Sequence, residues 1–165
     1  MTEPNPAAGS GRTDSAERSI NADQKNIYSA FVSSEALASW LPPAGMSGEV
    51  ENFVPEPGGG YRLTLRYDDL PAGQTGKSSA DTDVIDNRFI ELDPCRRIVQ
   101  TSEFVTTDPA FTGRMRTTWS FATDGPGVTR VRIVVENVPA GIRQAEHEEG
   151  LKATLDNLAR FVSKD

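Results

Sequence analysis

Along residues 61–67 apolar and polar side chains alternate. Tyr61, Leu63, Leu65 and Tyr67 fall on one face of an extended chain, and Arg62, Thr64 and Arg66 on the other. A period of two over that length predicts a half-buried antiparallel strand with one dry side. The period recurs at Met115, Thr117, Trp119 and Phe121 against Arg114, Arg116, Thr118 and Ser120. It recurs again at Val131, Ile133 and Val135 against Arg130, Arg132 and Val134. Less regular stretches near 49–54, 82–92 and 97–105 bring the expected meander between Met46 and Val138 to six strands. Turn residues at Pro57–Gly60, Pro71–Gly76, Asp93–Arg96 and Asp124–Gly127 separate them.

Ahead of the meander, Ala16–Ile20 reads as a short extended segment. Asn21 or Asp23 is placed to cap a helix carrying Ile27, Ala30 and Phe31 at helical spacing. Ser33 and Ser34 interrupt that helix, and a second one carries Leu37, Trp40 and Leu41 on one face. Pro42 and Pro43 end it, because the residue before a proline avoids the helical region. After Pro139 and Gly141 the period turns helical again at His147, Leu151, Leu155, Leu158 and Val162. The pattern predicts a final helix of about six turns whose wet face carries Glu146, Glu149, Lys152, Asp156 and Arg160. A sheet with one dry face and a helix with one dry stripe cover each other. The expectation is one α+β domain over residues 15–165. Residues 1–14, rich in Pro, Gly and Ala and without periodicity, are expected to be a disordered tail.

Composition narrows the partners. The chain has 165 residues, 36% apolar and 25% charged, and no apolar run approaches the length of a membrane span. Residues 1–14 lack the basic start and apolar stretch of a secretory signal, so a cytoplasmic location is expected. A formal charge of -7 argues against nucleic acid and anionic membranes as partners. Cys95 is the only cysteine, so a zinc site would need one thiol, one imidazole and scattered carboxylates. Neither a metal nor a cofactor is expected.

Trp40, Phe53, Tyr61, Leu63, Met115, Trp119 and Phe121 are the large side chains expected to face inward, either as packed core or as the lining of a ligand site. His147, the sole histidine, lies on the apolar stripe of the last helix. An imidazole there can hydrogen-bond a ligand, act as a general base, or simply tie down the helix start through backbone or a nearby carboxylate. His147-Glu148-x-x-Leu151 begins like a zinc-peptidase motif, but Leu151 stands where the second histidine would be, which excludes that chemistry. Gly150 costs a helix ~1 kcal/mol relative to alanine, so it is expected either to leave a cavity open or to allow close packing. Gly58-Gly59-Gly60 leads into a strand with no lysine in phosphate-loop spacing, and reads as a hairpin turn. No Gly-x-Ser-x-Gly elbow is present, which argues against a hydrolytic triad. Arg62, Arg66, Arg114 and Arg116 fall on wet faces, as a patch for an anion or protein or as partners of neighbouring carboxylates.

Four phrases carry a resemblance: Trp40-Leu41-Pro42-Pro43, then Pro57-Gly58-Gly59-Gly60-Tyr61, then Leu92-Asp93-Pro94 followed by Arg97-Ile98-Val99, then His147-Glu148-Glu149-Gly150. In this order, over Ala16 to Val162, they resemble the START-like (SRPBCC, helix-grip, pollen-allergen-like) superfamily, in the branch named for the activator of heat-shock protein 90 ATPase. The chain departs where many relatives have a tryptophan after the glycine, since Leu151 follows Gly150, and where relatives often have a second proline, since Cys95 stands there. The resemblance implies a curved antiparallel sheet around a long C-terminal helix, two short helices after the first strand, and a cavity between sheet and helix. It implies no single activity. The leading expectation is a binder of a small, largely hydrophobic molecule, lined by Trp40, Phe53, Tyr61, Leu63, Met115, Thr117, Trp119, Phe121, His147, Gly150 and Leu151. The alternatives are a polyketide cyclase-like enzyme using the same pocket, with His147 as its acid or base, and a co-chaperone-like module of the stress response acting from an outer surface. A homodimer and a chaperone partner stay open.

Overall fold

The computed structural model describes residues 9–69, 74, 76–79 and 81–163. Strand β1 (Gly9–Ile20) opens the fold and is longer than the alternation at Ala16–Ile20 predicts. The expected tail is therefore corrected: residues 9–14 belong to β1, while residues 1–8 lie outside the described residues. Backbone pairing holds this segment, with Arg12 opposite Val138 and Asp14 opposite Val135 on the last strand. Composition misleads here because an edge strand fixed by main-chain bonds and an ion pair needs no apolar period.

Two short helices follow, α1 (Gln24–Ser29) and α2 (Ser34–Trp40). The side chain of Asp23 accepts from Asn26 N and that of Ser33 from Ala36 N, so each first turn has its free amide satisfied. The meander then runs through β2 (Met46–Val54), β3 (Gly60–Tyr67), β4 (Thr82–Asp93), β5 (Arg97–Phe104), β6 (Met115–Thr123) and β7 (Thr129–Pro139), with one short 3-10 turn (Pro109–Phe111) before β6. All pairs are antiparallel, in the order β1-β7-β6-β5-β4-β3-β2. Helix α3 (Gln144–Val162) closes the chain. This is the expected α+β helix-grip arrangement.

Burial follows the period of two where the sequence shows it cleanly. Tyr61, Leu63 and Leu65 are buried and Arg62 exposed; Met115, Thr117, Trp119 and Phe121 are buried and Arg116 exposed. It fails where strands bulge. In β4 the register slips between Phe89 and Glu91, turning Ile90 out to solvent. Gly60 sits where β3 passes β4, and a Cβ there would meet Asn87 O at 1.9 Å, which explains the glycine run as a hairpin device. Cys95 has φ 67°, a value a proline ring forbids, so the turn at Asp93–Arg96 differs in geometry from one built on a second proline.

The core gathers against the dry face. Phe31 meets the rings of Trp40, Trp119 and Phe121 at centroid distances of 4.9, 4.8 and 5.3 Å. Trp40 Nε1 donates to Ala30 O at 2.9 Å, so its burial leaves no orphan donor. Helix α3 packs beside β1, α1 and α2, burying Leu151, Leu155, Leu158, Ala159 and Val162. Asn157 Nδ2 donates to Pro42 O, fixing the helix to the end of α2.

Candidate functional site

Because α3 leans on β1 and the short helices, the first half of the helix stands off the middle of the sheet. The gap is a cavity of about 670 Å³. Its walls are apolar: Leu63 and Leu65 from β3, Ile85 and Phe89 from β4, Met115 and Trp119 from β6, Ile133 from β7, and Leu37 and Leu151 from the helices. It reaches solvent where Gln74, Arg143, Glu146 and Gly150, all exposed, border it.

Gly150 separates the two alternatives expected for it. A Cβ there would meet nothing within 4 Å, so close packing of the helix does not explain the glycine. It lies at the mouth, over open space.

Two polar clusters interrupt the apolar lining, and a third reaches it through His147. On the floor, Asn87 Oδ1 accepts from Gln100 Nε2 at 3.0 Å and from Ser102 Oγ at 2.6 Å. Tyr61 lies beside them, and its burial pushes the phenol up to about 12 against the opposing hydrogen bond from Gln100. At one end, Asp83 accepts from Tyr67 Oη at 2.8 Å, from Lys77 Nζ at 3.1 Å and from the Lys77 amide at 2.6 Å. The Lys77 ammonium also stands 5.5 and 5.8 Å from the ring centres of Phe104 and Phe111, within cation–π range. Burial and the bond to Asp83 raise the Tyr67 phenol above its usual range.

The third cluster joins α3 to β1. His147 Nδ1 lies 2.7 Å from Asp14 Oδ2, and Arg12 grips the same carboxylate through Nε and Nη2 at 2.9 Å each. Arg12 Nη2 also donates to Ile142 O, and the Ser15 amide donates to Glu148 on the helix. Asp14 is fully inaccessible to solvent. Burial alone would raise its carboxyl, yet the hydrogen bonds and charges of Arg12 and His147 outweigh that and hold it below the ordinary carboxylate range.

Of the residues expected from the sequence, Tyr61, Leu63, Met115, Thr117, Trp119, His147, Gly150 and Leu151 border the cavity. Trp40, Phe53 and Phe121 do not. Trp40 and Phe121 are spent in the aromatic cluster around Phe31, and Phe53 packs near the sheet edge, 5.9 and 6.3 Å from the ring centres of Tyr61 and Phe89. Sequence reasoning missed Asn87, Gln100, Ser102, Lys77, Asp83, Arg12 and Asp14. For Gln100 and Ser102 a signal existed, since they share a strand face with Ile98. For Asp14 none did.

On the opposite face of the sheet the arginines pair with carboxylates across strands: Arg62 with Asp86, Arg66 with Asp81 and Arg114 with Glu103. Such exposed pairs are worth little to stability, but they neutralise the face. Among the described residues no helix is long and apolar enough to cross a membrane, and no cluster of His, Cys, Asp and Glu has the grouping of a metal site.

A family model described as Activator of Hsp90 ATPase homolog 1-like protein matches residues 21–163. A Chromobacterium violaceum protein of known crystal structure is 29% identical, with a TM-score of 0.79, over 93% of this chain and 98% of that one. An Arthrobacter aurescens protein solved by NMR is 14% identical at a TM-score of 0.75, over 92% and 86% of the two chains. A Mycobacterium smegmatis crystal structure is 14% identical at 0.70, over 99% and 98%. At that identity the last two speak for the fold alone. Comparison with curated proteins found no match.

Proposed function

The chain belongs to the activator of Hsp90 ATPase homolog 1-like family, and on that premise we propose that it binds a small, largely hydrophobic molecule in the cavity between sheet and α3. The cavity carries this reading. A sheet and a helix whose only task is to cover each other close to native packing density, whereas here about 670 Å³ stays open between them. That volume falls within the range of small-molecule sites, as does the mix of apolar walls with few polar groups. Asn87, Gln100 and Ser102 give a ligand's polar end something to meet, so the occupant is amphiphilic rather than a plain hydrocarbon.

A small library of apolar and amphiphilic compounds, screened by thermal unfolding, tests this. A compound at one hundred times its Kd adds ~2.7 kcal/mol, which for a domain of this length raises Tm by roughly 5 to 10 °C. Hits that vanish when Thr117 is replaced by Phe, which fills the space between the walls, support the cavity as their site. A library without hits moves the function to the outer surface and to a protein partner.

A further inference from the structure

Holding an apolar molecule does not require Arg12, Asp14 and His147. Burying a carboxylate is costly unless it is paired, and β1 buries Asp14 completely, in contact with His147, which borders the cavity. Both its oxygens are engaged, Oδ1 and Oδ2 by the Arg12 guanidinium and Oδ2 by His147 Nδ1. An ionised carboxylate only accepts hydrogen bonds, so Nδ1 carries the ring proton. In the neutral imidazole Nε2 is then the nitrogen left to accept a proton, and His147 borders the cavity. Arg12 already balances the Asp14 charge, and the other ionisable groups nearby, Arg143, Glu146 and Glu148, lie on or beside the first turns of α3.

We propose that the protein is a proton-transfer catalyst in which His147 Nε2 is the general base toward the cavity's occupant, with Asp14 and Arg12 as positioning residues. The inference rests on the cavity being a ligand site. The substrate class is a carbonyl compound with an acidic C–H bond. The C–H bond breaks, its electron pair stays on the substrate as an enolate, and the proton passes to Nε2. The resulting imidazolium keeps its Nδ1–H on Asp14. The enolate then attacks a second carbonyl of the same molecule, or shifts its double bond, and the proton returns from Nε2 to the new oxygen or carbon. Ring closure and isomerisation both balance this way, with no oxidant, reductant or cofactor consumed.

The probe is 5-nitrobenzisoxazole, a small apolar molecule whose ring opens on loss of one proton and gives a coloured phenolate. Wild type should turn it over with saturation, and His147→Gln should lower kcat by about 10²- to 10⁴-fold, the usual share of a general base. Asp14→Asn should lower kcat at least about tenfold with KM nearly unchanged, because an amide there donates to Nδ1 and moves the ring proton to Nε2. His147 is the only histidine, so one ¹⁵N-resolved imidazole spectrum reads the tautomer without assignment. It should show Nδ1 protonated in wild type and the reverse in Asp14→Asn. A protonated Nε2 in the wild-type protein overturns the inference even where the variants fail to fold. So does saturable binding of the benzisoxazole without turnover, or turnover that survives His147→Gln, and either leaves the binding reading intact. No saturation by this probe and no melting shift with any library compound overturns both.

Discussion

At Asp14, burial and bonding pull in opposite directions and bonding wins. Its folded-state pKa lies below the unfolded value of about 3.9, so the stability it contributes is present above about pH 4 and is lost as pH falls through the folded value. Urea unfolding at stepped pH should therefore show an acid limb that flattens in Asp14→Asn. At neutral pH the same variant should cost about 2 kcal/mol, the scale of a buried charged hydrogen-bond partner removed. The tyrosines give the opposite limb. All three, Tyr28, Tyr61 and Tyr67, are raised, with burial the largest cause at each. The neutral phenol is favoured in the fold, so stability holds below pH 10 and is lost as pH rises through the folded values, about 12 for Tyr61. Absorbance at 295 nm should show no phenolate step at pH 10 in native protein; a full step there would contradict the burial. Tyr61, Leu63, Met115, Thr117 and Trp119 were legible in the sequence because strand geometry forces alternate residues to one side. Asn87 was not, because in a strand of irregular alternation a polar side chain is free to be read as solvent-facing. Asp14 was hidden by its proline- and glycine-rich neighbours.

Among the elements, α3 and the strands of clean period two announce themselves, since three- and four-residue spacing and strict alternation each admit one geometry. The bulges do not. A slip of one residue at Ile90 or at Asn137 (φ 60°) depends on the partner strand, which local sequence does not contain. Asn137 shows the dependence directly: its side-chain Nδ2 donates to Arg114 O just before β6, and its Oδ1 accepts from Gly11 N on β1. Two consequences are measurable. A chain beginning at residue 15 loses the Arg12 and Asp14 pairing and should unfold at lower urea, by about 2 to 4 kcal/mol if a buried pair and its strand end are lost together. An unchanged midpoint would mean that residues 9–14 are dispensable. Gly150→Ala should stabilise α3 by ~1 kcal/mol, the helix preference of alanine over glycine, because the added methyl meets open space. A loss of stability there would mean that the helix sits closer to its neighbours than the structure places it.

For the molecule as a whole, the four phrases from Trp40 to Gly150 were enough to indicate a helix-grip fold and the family. They mark turns and helix ends, and those set the chain's path. They could not show how far α3 stands from the sheet, because that distance is fixed by its packing on β1, α1 and α2, contacts spread over the entire chain. The order of strands carries a last consequence, for the time course of folding. From β2 to β7 each strand lies beside its sequence neighbour, so the meander is assembled from local hairpins. Strand β1 alone must cross to β7, and the bond between Asp14 and His147 spans 133 residues. Loop-closure entropy sets such distant pairings behind local ones. Pulse-labelled hydrogen exchange during refolding should find β1 amides protected after those of β3 to β6; simultaneous protection would rule the sequence of events out. A chain emerging from synthesis would thus pair its central strands first and acquire its carboxylate–imidazole pair last.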